Sequence, residues 1–199
     1  MTLRFQDILV LMRFTLMNPR RGLRAVLDMD LPLGASVAAL LLTAVISALL
    51  TQGSAALLPV EGNPIFDFLT GSPLRTALIQ GAGMLLTAGL VHFLGRAWGG
   101  HGRLEEAVLA VAWLQLFMLV LQLAEMAATL IGLPQLSVLA ALVSVAVFPW
   151  LLNMFVTEVH GFHSPVKVFL GILLCTAGLS FLLSFLLVAL LGPETFANV

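Results

Sequence analysis

Five long apolar stretches divide this chain of 199 residues, and they constrain its fold more than any other feature. They run over Leu33–Gln52, Leu74–Gly95, Ala107–Ile131, Leu136–Thr157 and Val166–Leu191. Crossing the hydrocarbon core of a bilayer takes about 20 helical residues, and each stretch reaches that length. The chain is 60% hydrophobic and only 10% charged. No soluble domain of this size hides that much apolar surface, so lipid is the expected solvent. The fold class that follows is an all-α integral membrane protein: a five-helix transmembrane bundle over 33–199, after a short cytoplasmic or interfacial amphipathic segment over 1–32.

The connecting segments orient it. Arg4, Arg13, Arg20, Arg21, Arg24, Arg96, Arg103 and Lys167 fall on one side, and Arg75 alone on the other. Positively charged loops stay in the cytoplasm, so the N-terminus is expected inside and the C-terminus outside. Arg4, Asp7 and Arg13 interrupt the region where a cleavable signal peptide needs an apolar core, so the first span is expected to be retained. A net charge of −1 lacks the broad basic face that nucleic acid requires. Cys175 is the only cysteine, which excludes an intramolecular disulfide. Eight arginines against one lysine, with abundant Ala, Leu and Gly, fit a GC-rich bacterial genome and hence a bacterial inner (cytoplasmic) membrane. Only Gly132-Leu-Pro-Gln135 separates the third and fourth stretches, which must form a tight antiparallel hairpin. In the longer loop over 53–73, Ile65–Leu69 is too short to span and is placed at the outer interface.

Before the first span, residues 3–17 are helix-compatible, but their polar side chains lie on two faces. The next piece is better patterned: Asn18 can cap, Pro19 suits the first helical position, and Leu23, Val26, Leu27 and Leu31 recur at helical spacing. Arg20, Arg21 and Arg24 start this piece, where lipid phosphates can pair with them at about 1 kcal/mol each beside an anionic leaflet. The arginines serve either a lipid-sensing interfacial helix or a simple positive-inside anchor.

Within the spans, Glu125 is the clear ionisable group. At 100° per residue, Gln115, Met118, Gln122, Glu125 and Thr129 share an arc of roughly 80°. Thr76, Gln80, Gly83 and Thr87 form a row on the second span. Gln80 and Glu125 each lie about 9 Å from the outer end, close enough to pair if their helices touch, with Arg75 as an alternative partner. Ser36, Thr43, Ser47 and Ser54 line the first span, and Thr176, Ser180 and Ser184 the fifth. These rows act as a polar cavity around Glu125 or as interhelical hydrogen-bonding contacts; the second reading asks less of the sequence. Pro149 can kink the fourth span.

After the fourth span come Glu158, His160 and His163, with His101 in the other cytoplasmic loop. Imidazoles at this spacing beside a carboxylate can hold a divalent metal, but no cysteine joins them and Gly161 loosens the geometry. No nucleophile elbow, phosphate loop, zinc-protease helix or kinase signature occurs. No catalytic group, metal or other cofactor is therefore expected, and the chain is read as non-enzymatic.

Three stretches carry a resemblance: Asn18-Pro19-Arg20-Arg21-Gly22, LGRAWGGHGRLEEAVLAVAW over 94–113, and VTEVHGFHSPVKVFLGILL over 156–174. With the five-span topology they resemble the bacterial branch of the Yip family, the Ypt/Rab-interacting proteins. Gly99, Gly100, Leu104, Ala107, His160, Gly161 and Phe162 align with its loop positions. Small-residue helix faces, weak site chemistry and short loops point to membrane organisation, or an accessory role in a membrane assembly, through lipid, other membrane subunits or a homo-oligomer. Eukaryotic members bind small GTPases, but segment 1–32 is far shorter than their cytosolic domain, so a GTPase partner is not expected. The alternative is a small transporter or channel using the region around Glu125.

Overall fold

A computed structural model describes residues 4–57, 68 and 70–191. It contains seven helices over those residues: α1 (Phe5–Met17), α2 (Pro19–Leu27), α3 (Leu33–Leu57), α4 (Pro73–Ala97), α5 (Leu104–Leu130), α6 (Pro134–Val159) and α7 (Pro165–Leu191). The last five are long and apolar enough to cross a membrane, and each coincides with one apolar stretch of the sequence. Their ends follow local chemistry. The Glu106 carboxylate accepts the Arg103 backbone N–H at 2.8 Å, which starts α5 three residues before Ala107. Pro73, Pro134 and Pro165 each stand at a helix start, where a missing N–H costs nothing. Ser72 caps α4 by accepting the Arg75 backbone N–H at 3.2 Å. α6 runs through Pro149 as one helix. Of the segment Ile65–Leu69, only Phe68 is among the described residues.

The chain forms two compact units, residues 1–162 and 163–199. In the first, α5 is the hub, packed against α2, α3, α4 and α6. It serves two cores. Leu109, Ala110, Leu114 and Phe117 join Met12 of α1, Leu23, Val26 and Leu27 of α2, and Leu151, Phe155 and Val159 of α6. Val108, Val111 and Ala112 join Leu40 and Ala44 of α3 and Met84 and Ala88 of α4. Alanines at 44, 88, 110 and 112 let the helix backbones approach closely, the usual basis of packing where lipid already solvates apolar side chains. In consequence 56% of the most apolar window of α5 is buried, against 28% for α3 and 17% for α4 and α6. α5 and α6 form the expected hairpin, turned at Gly132 with φ +72° and closed by the Leu133 N–H on the Ala128 carbonyl at 2.9 Å.

The second unit holds α7. Ser164 Oγ accepts the Lys167 backbone N–H at 3.4 Å, and Thr176 Oγ1 donates back to the Ile172 carbonyl at 2.8 Å. Leu174, Phe181 and Phe185 are exposed, as a lipid-facing helix requires.

The N-terminal helices differ from their sequence patterns in an instructive way. α2, with its clear apolar stripe, turns that stripe into protein: Leu23, Val26 and Leu27 are buried. α1, with polar groups on two faces, buries Met12 and Thr15 and leaves Leu9, Val10, Phe14, Leu16 and Met17 exposed. Asn18 stands at the N-cap of α2 without a side-chain capping bond.

Candidate functional site

The sequence-matched turns converge at the arginine-rich end of the first unit. His160 caps the C-terminus of α6 and is only 2% exposed. Its Nε2 lies 2.9 Å from the Val91 carbonyl of α4, and its Nδ1 lies 3.3 Å from the Gly102 amide nitrogen. A carbonyl only accepts and an amide N–H only donates. Nε2 therefore carries the proton, Nδ1 accepts, and the ring is neutral. The His160 carbonyl accepts the His101 N–H at 3.4 Å, which ties the two turns together from the backbone side as well.

Glycine makes the room. A Cβ on Gly95 or Gly100 would overlap the His160 ring, and one on Gly102 would press on Val159. Phe162 stacks on the imidazole with ring centroids 5.5 Å apart. Gly99 at φ +85° and Gly161 at φ +68° take the left-handed conformation that reverses the chain in each turn. Gly99, Gly100, His160, Gly161 and Phe162 thus belong to one lock between the α4–α5 and α6–α7 turns. Sequence reasoning missed Gly95, Gly102 and the Val91 carbonyl; the clustering of glycines over 95–102 was the signal available.

Burial pushes the His160 imidazole below its ordinary value, and this outweighs the upward pull of the Val91 carbonyl. Nearby His92 and Arg96 add to the lowering, while Glu106 opposes it. A group whose folded pKa is depressed contributes stability that is complete above its unfolded value, about 6.5 for histidine, and lost as pH falls through the folded value. Acidification from about pH 7.5 to about pH 5 is therefore expected to lower the thermal midpoint in detergent. The His160→Gln variant should lose much of that dependence. Equal pH slopes for the two proteins would refute the assignment.

Two residues before His160, Glu158 holds two arginines of α2. Its Oε2 accepts from Arg20 Nε at 2.8 Å, and its Oε1 from Arg24 Nε at 2.8 Å. Its side chain is 13% exposed, against 43% and 49% for the two arginines. Arg21, Ala25 and Asp28 complete an open cleft of about 390 Å³ around these ion pairs. Because the arginines are half in solvent, the pairs are worth far less than buried ones. Glu158→Ala should cost about 1 kcal/mol, read as a lowered unfolding midpoint that high salt narrows. The arrangement also weighs against a metal at Glu158 and His160. The carboxylate already neutralises two cations, and both ring nitrogens face backbone groups.

In the spans, the polar residues divide by helix pair. Gln122 of α5 accepts from Ser47 Oγ of α3 at 2.9 Å and donates through Nε2 to Thr51 Oγ1 at 3.1 Å. Gln80 of α4 donates to that same hydroxyl at 3.1 Å. Gln52 Nε2 donates to Thr76 Oγ1 at 2.8 Å. Three helices are thereby joined through α3. Glu125 points elsewhere: its Oε1 accepts from Ser144 Oγ of α6 at 3.0 Å, near a Thr129–Ser137 contact at 3.3 Å. Gln80 and Glu125, close enough in depth to pair, have separate partners because Gln122 and Glu125 differ by about 60° around α5. That rotation turns one toward α3 and the other toward α6. The Arg75 guanidinium lies 4.6 Å over the Phe68 ring. Thr87 bonds back to the Gly83 carbonyl of its own helix at 2.8 Å, and Gln115 is half-buried on α5. Of the mediating hydroxyls, Ser47 belongs to the polar row of the first span, whereas Thr51 and Ser144 stand in no row of the sequence.

A family model described as the Yip1 domain matches residues 14–186, from the end of α1 into α7. The comparisons with curated proteins and with solved structures return no match.

Proposed function

From the premise that this chain belongs to the Yip1 domain family, as the match over residues 14–186 shows, we propose a non-enzymatic membrane protein acting through protein or lipid contacts. It organises the bilayer or serves as an accessory subunit of a membrane assembly. The observation that carries the reading is how the chemistry-bearing side chains are used at the family-like turns. His160 has both nitrogens on backbone, and Glu158 is neutralised by Arg20 and Arg24. An active site keeps such groups open to a substrate; here they hold helices in register. The arginine distribution supports an N-terminus in the cytoplasm of a bacterial inner membrane and a C-terminus in the periplasm. Arg20, Arg21 and Arg24 then line a cleft at headgroup level, where the outward guanidinium of Arg21 meets anionic lipid.

Affinity purification from native membranes in mild detergent tests this. A stoichiometric membrane-protein partner, or a stable homo-oligomer, is the expected result. A strictly monomeric protein with nothing enriched beside it would defeat the accessory-subunit reading. The second reading, a small transporter or channel, rests on the intramembrane Glu125 and its bond to Ser144. It requires a pH-dependent flux in liposomes that Glu125→Gln abolishes. Wild-type liposomes without flux across a broad substrate panel would dismiss it.

A further inference from the structure

We infer that α1, rather than the better-patterned α2, is the helix through which the N-terminal segment enters lipid, lying within the leaflet on the arginine-rich side with Val10, Phe14 and Met17 against acyl chains. The first observation is exposure. Val10 is 70% exposed and Met17 67%, whereas Leu23 of α2 is wholly buried. At 100° per residue, positions 10, 14 and 17 fall in an arc of about 60° on the side away from Met12 and Thr15. Left in water, that stripe is an apolar patch on a helix with no tertiary reason to show it.

The second observation is depth. Thr15 is buried and accepts from Trp113 Nε1 at 3.3 Å. Trp113 stands nine residues inside α5, about 13 Å from the Leu104 end of that span. Helical side chains lean toward their own N-terminus, which brings the indole nitrogen a few ångströms nearer the surface. The Thr15 side of α1 is thus held roughly 8–13 Å inside the end of a membrane-crossing helix, which overlaps the deeper part of the roughly 5–10 Å at which in-plane amphipathic helices rest. The core that receives Met12 likewise includes Leu114 and Phe117 of α5, residues well within the span.

The third observation is charge. Arg13, exposed between the Val10–Phe14–Met17 stripe and the Leu9–Leu16 edge, can extend its guanidinium to the phosphates while its stem stays apolar. Arg20, Arg21 and Arg24 follow directly in the chain, so anionic headgroups complement this end of the unit. The inference deepens the lipid-contact reading above and rests on it for the occupant. It does not depend on whether a protein partner is found.

The test uses the full-length protein in nanodiscs containing anionic phospholipid. In a Cys175→Ser background, spin labels are placed by Val10→Cys, Met17→Cys and, as the headgroup-level reference open to water, Arg21→Cys. The expected result is high collision with oxygen and low collision with a water-soluble nickel chelate at 10 and 17, and the reverse at 21. Nickel accessibility at 10 and 17 equal to that at 21 would overturn the inference, since α1 would then face water. Low accessibility to both reagents would also overturn it, because protein would be covering the stripe; dipolar broadening would identify that cover as a second copy. Either failure leaves the purification experiment free to succeed, so the two proposals can fail separately.

Discussion

Gly95→Ala is expected to lower the unfolding free energy by about 2 kcal/mol, although alanine is the better helix former at that position. Two effects oppose each other. Replacing glycine inside α4 gains about 1 kcal/mol of helix propensity. Against it, the new methyl overlaps the imidazole of His160, which is 2% exposed and held on both sides. The ring cannot swing away without giving up the Val91 and Gly102 bonds, and each buried polar group left unpaired costs about 1–3 kcal/mol. Overlap should therefore win. His160→Ala alone should also destabilise, by a similar amount, through the cavity and the stranded carbonyl and amide. In the double variant the methyl occupies space the ring has left, so its loss should fall clearly short of the summed single losses. Thermal unfolding in detergent of the wild type, both singles and the double checks this. Strict additivity would mean that residues 95 and 160 do not meet.

Gly22→Ala is expected to be at least as damaging, and no second substitution at Thr15 should repair it. A methyl at position 22 would overlap not only the Thr15 hydroxyl but also the main chain of that residue, so α1 and α2 touch backbone to backbone there. The methyl must push α1 off α2 and with it break the Trp113–Thr15 bond. A cost of about 2–3 kcal/mol is expected, as for other overpacked cores. Thr15→Ala removes the hydroxyl and leaves the main-chain overlap, so the Gly22→Ala, Thr15→Ala double variant should remain as unstable as Gly22→Ala. Limited proteolysis provides a local readout, since cleavage within α1 should accelerate in both. Recovery of wild-type stability in the double variant would show that only side-chain atoms meet there. The contrast between positions 95 and 22 is the useful comparison: one clash is with a side chain that can be deleted, the other with main chain that cannot.

Much of the site was legible, but as parts. Gly99, Gly100, His160, Gly161 and Phe162 could be marked from the two short loop stretches, and the family match covers both. That one loop supplies the cradle and the other the ring could not be read, because the partners are the Val91 carbonyl and the Gly102 amide. Backbone groups have no sequence signature. Glu158 stands beside His160 and His163 at a spacing that can hold a metal, whereas its carboxylate turns to Arg20 and Arg24, more than a hundred positions earlier. Such long-range pairs depend on how α2 docks against α6. In the spans, Gln122 and Glu125 were assigned to one arc, and a rotation of about 60° sent them to different neighbours.

The helices themselves, their number and their approximate limits were fixed by the chain alone. A segment in hydrocarbon must satisfy its own backbone hydrogen bonds, so length and hydropathy suffice to make it a helix wherever its neighbours lie. The charge of the loops is likewise a local property. Packing is different. α3 to α7 are apolar nearly all round, so no stripe in the sequence marks which side meets protein and which meets lipid. Only close approach of particular small residues, Gly22, Gly95 and the alanines of α5, selects the rotation of each helix and the neighbour it touches. That choice decided the His160 lock, the division of the polar rows, and the exchange by which α2 gave its apolar face to the protein while α1 kept one free.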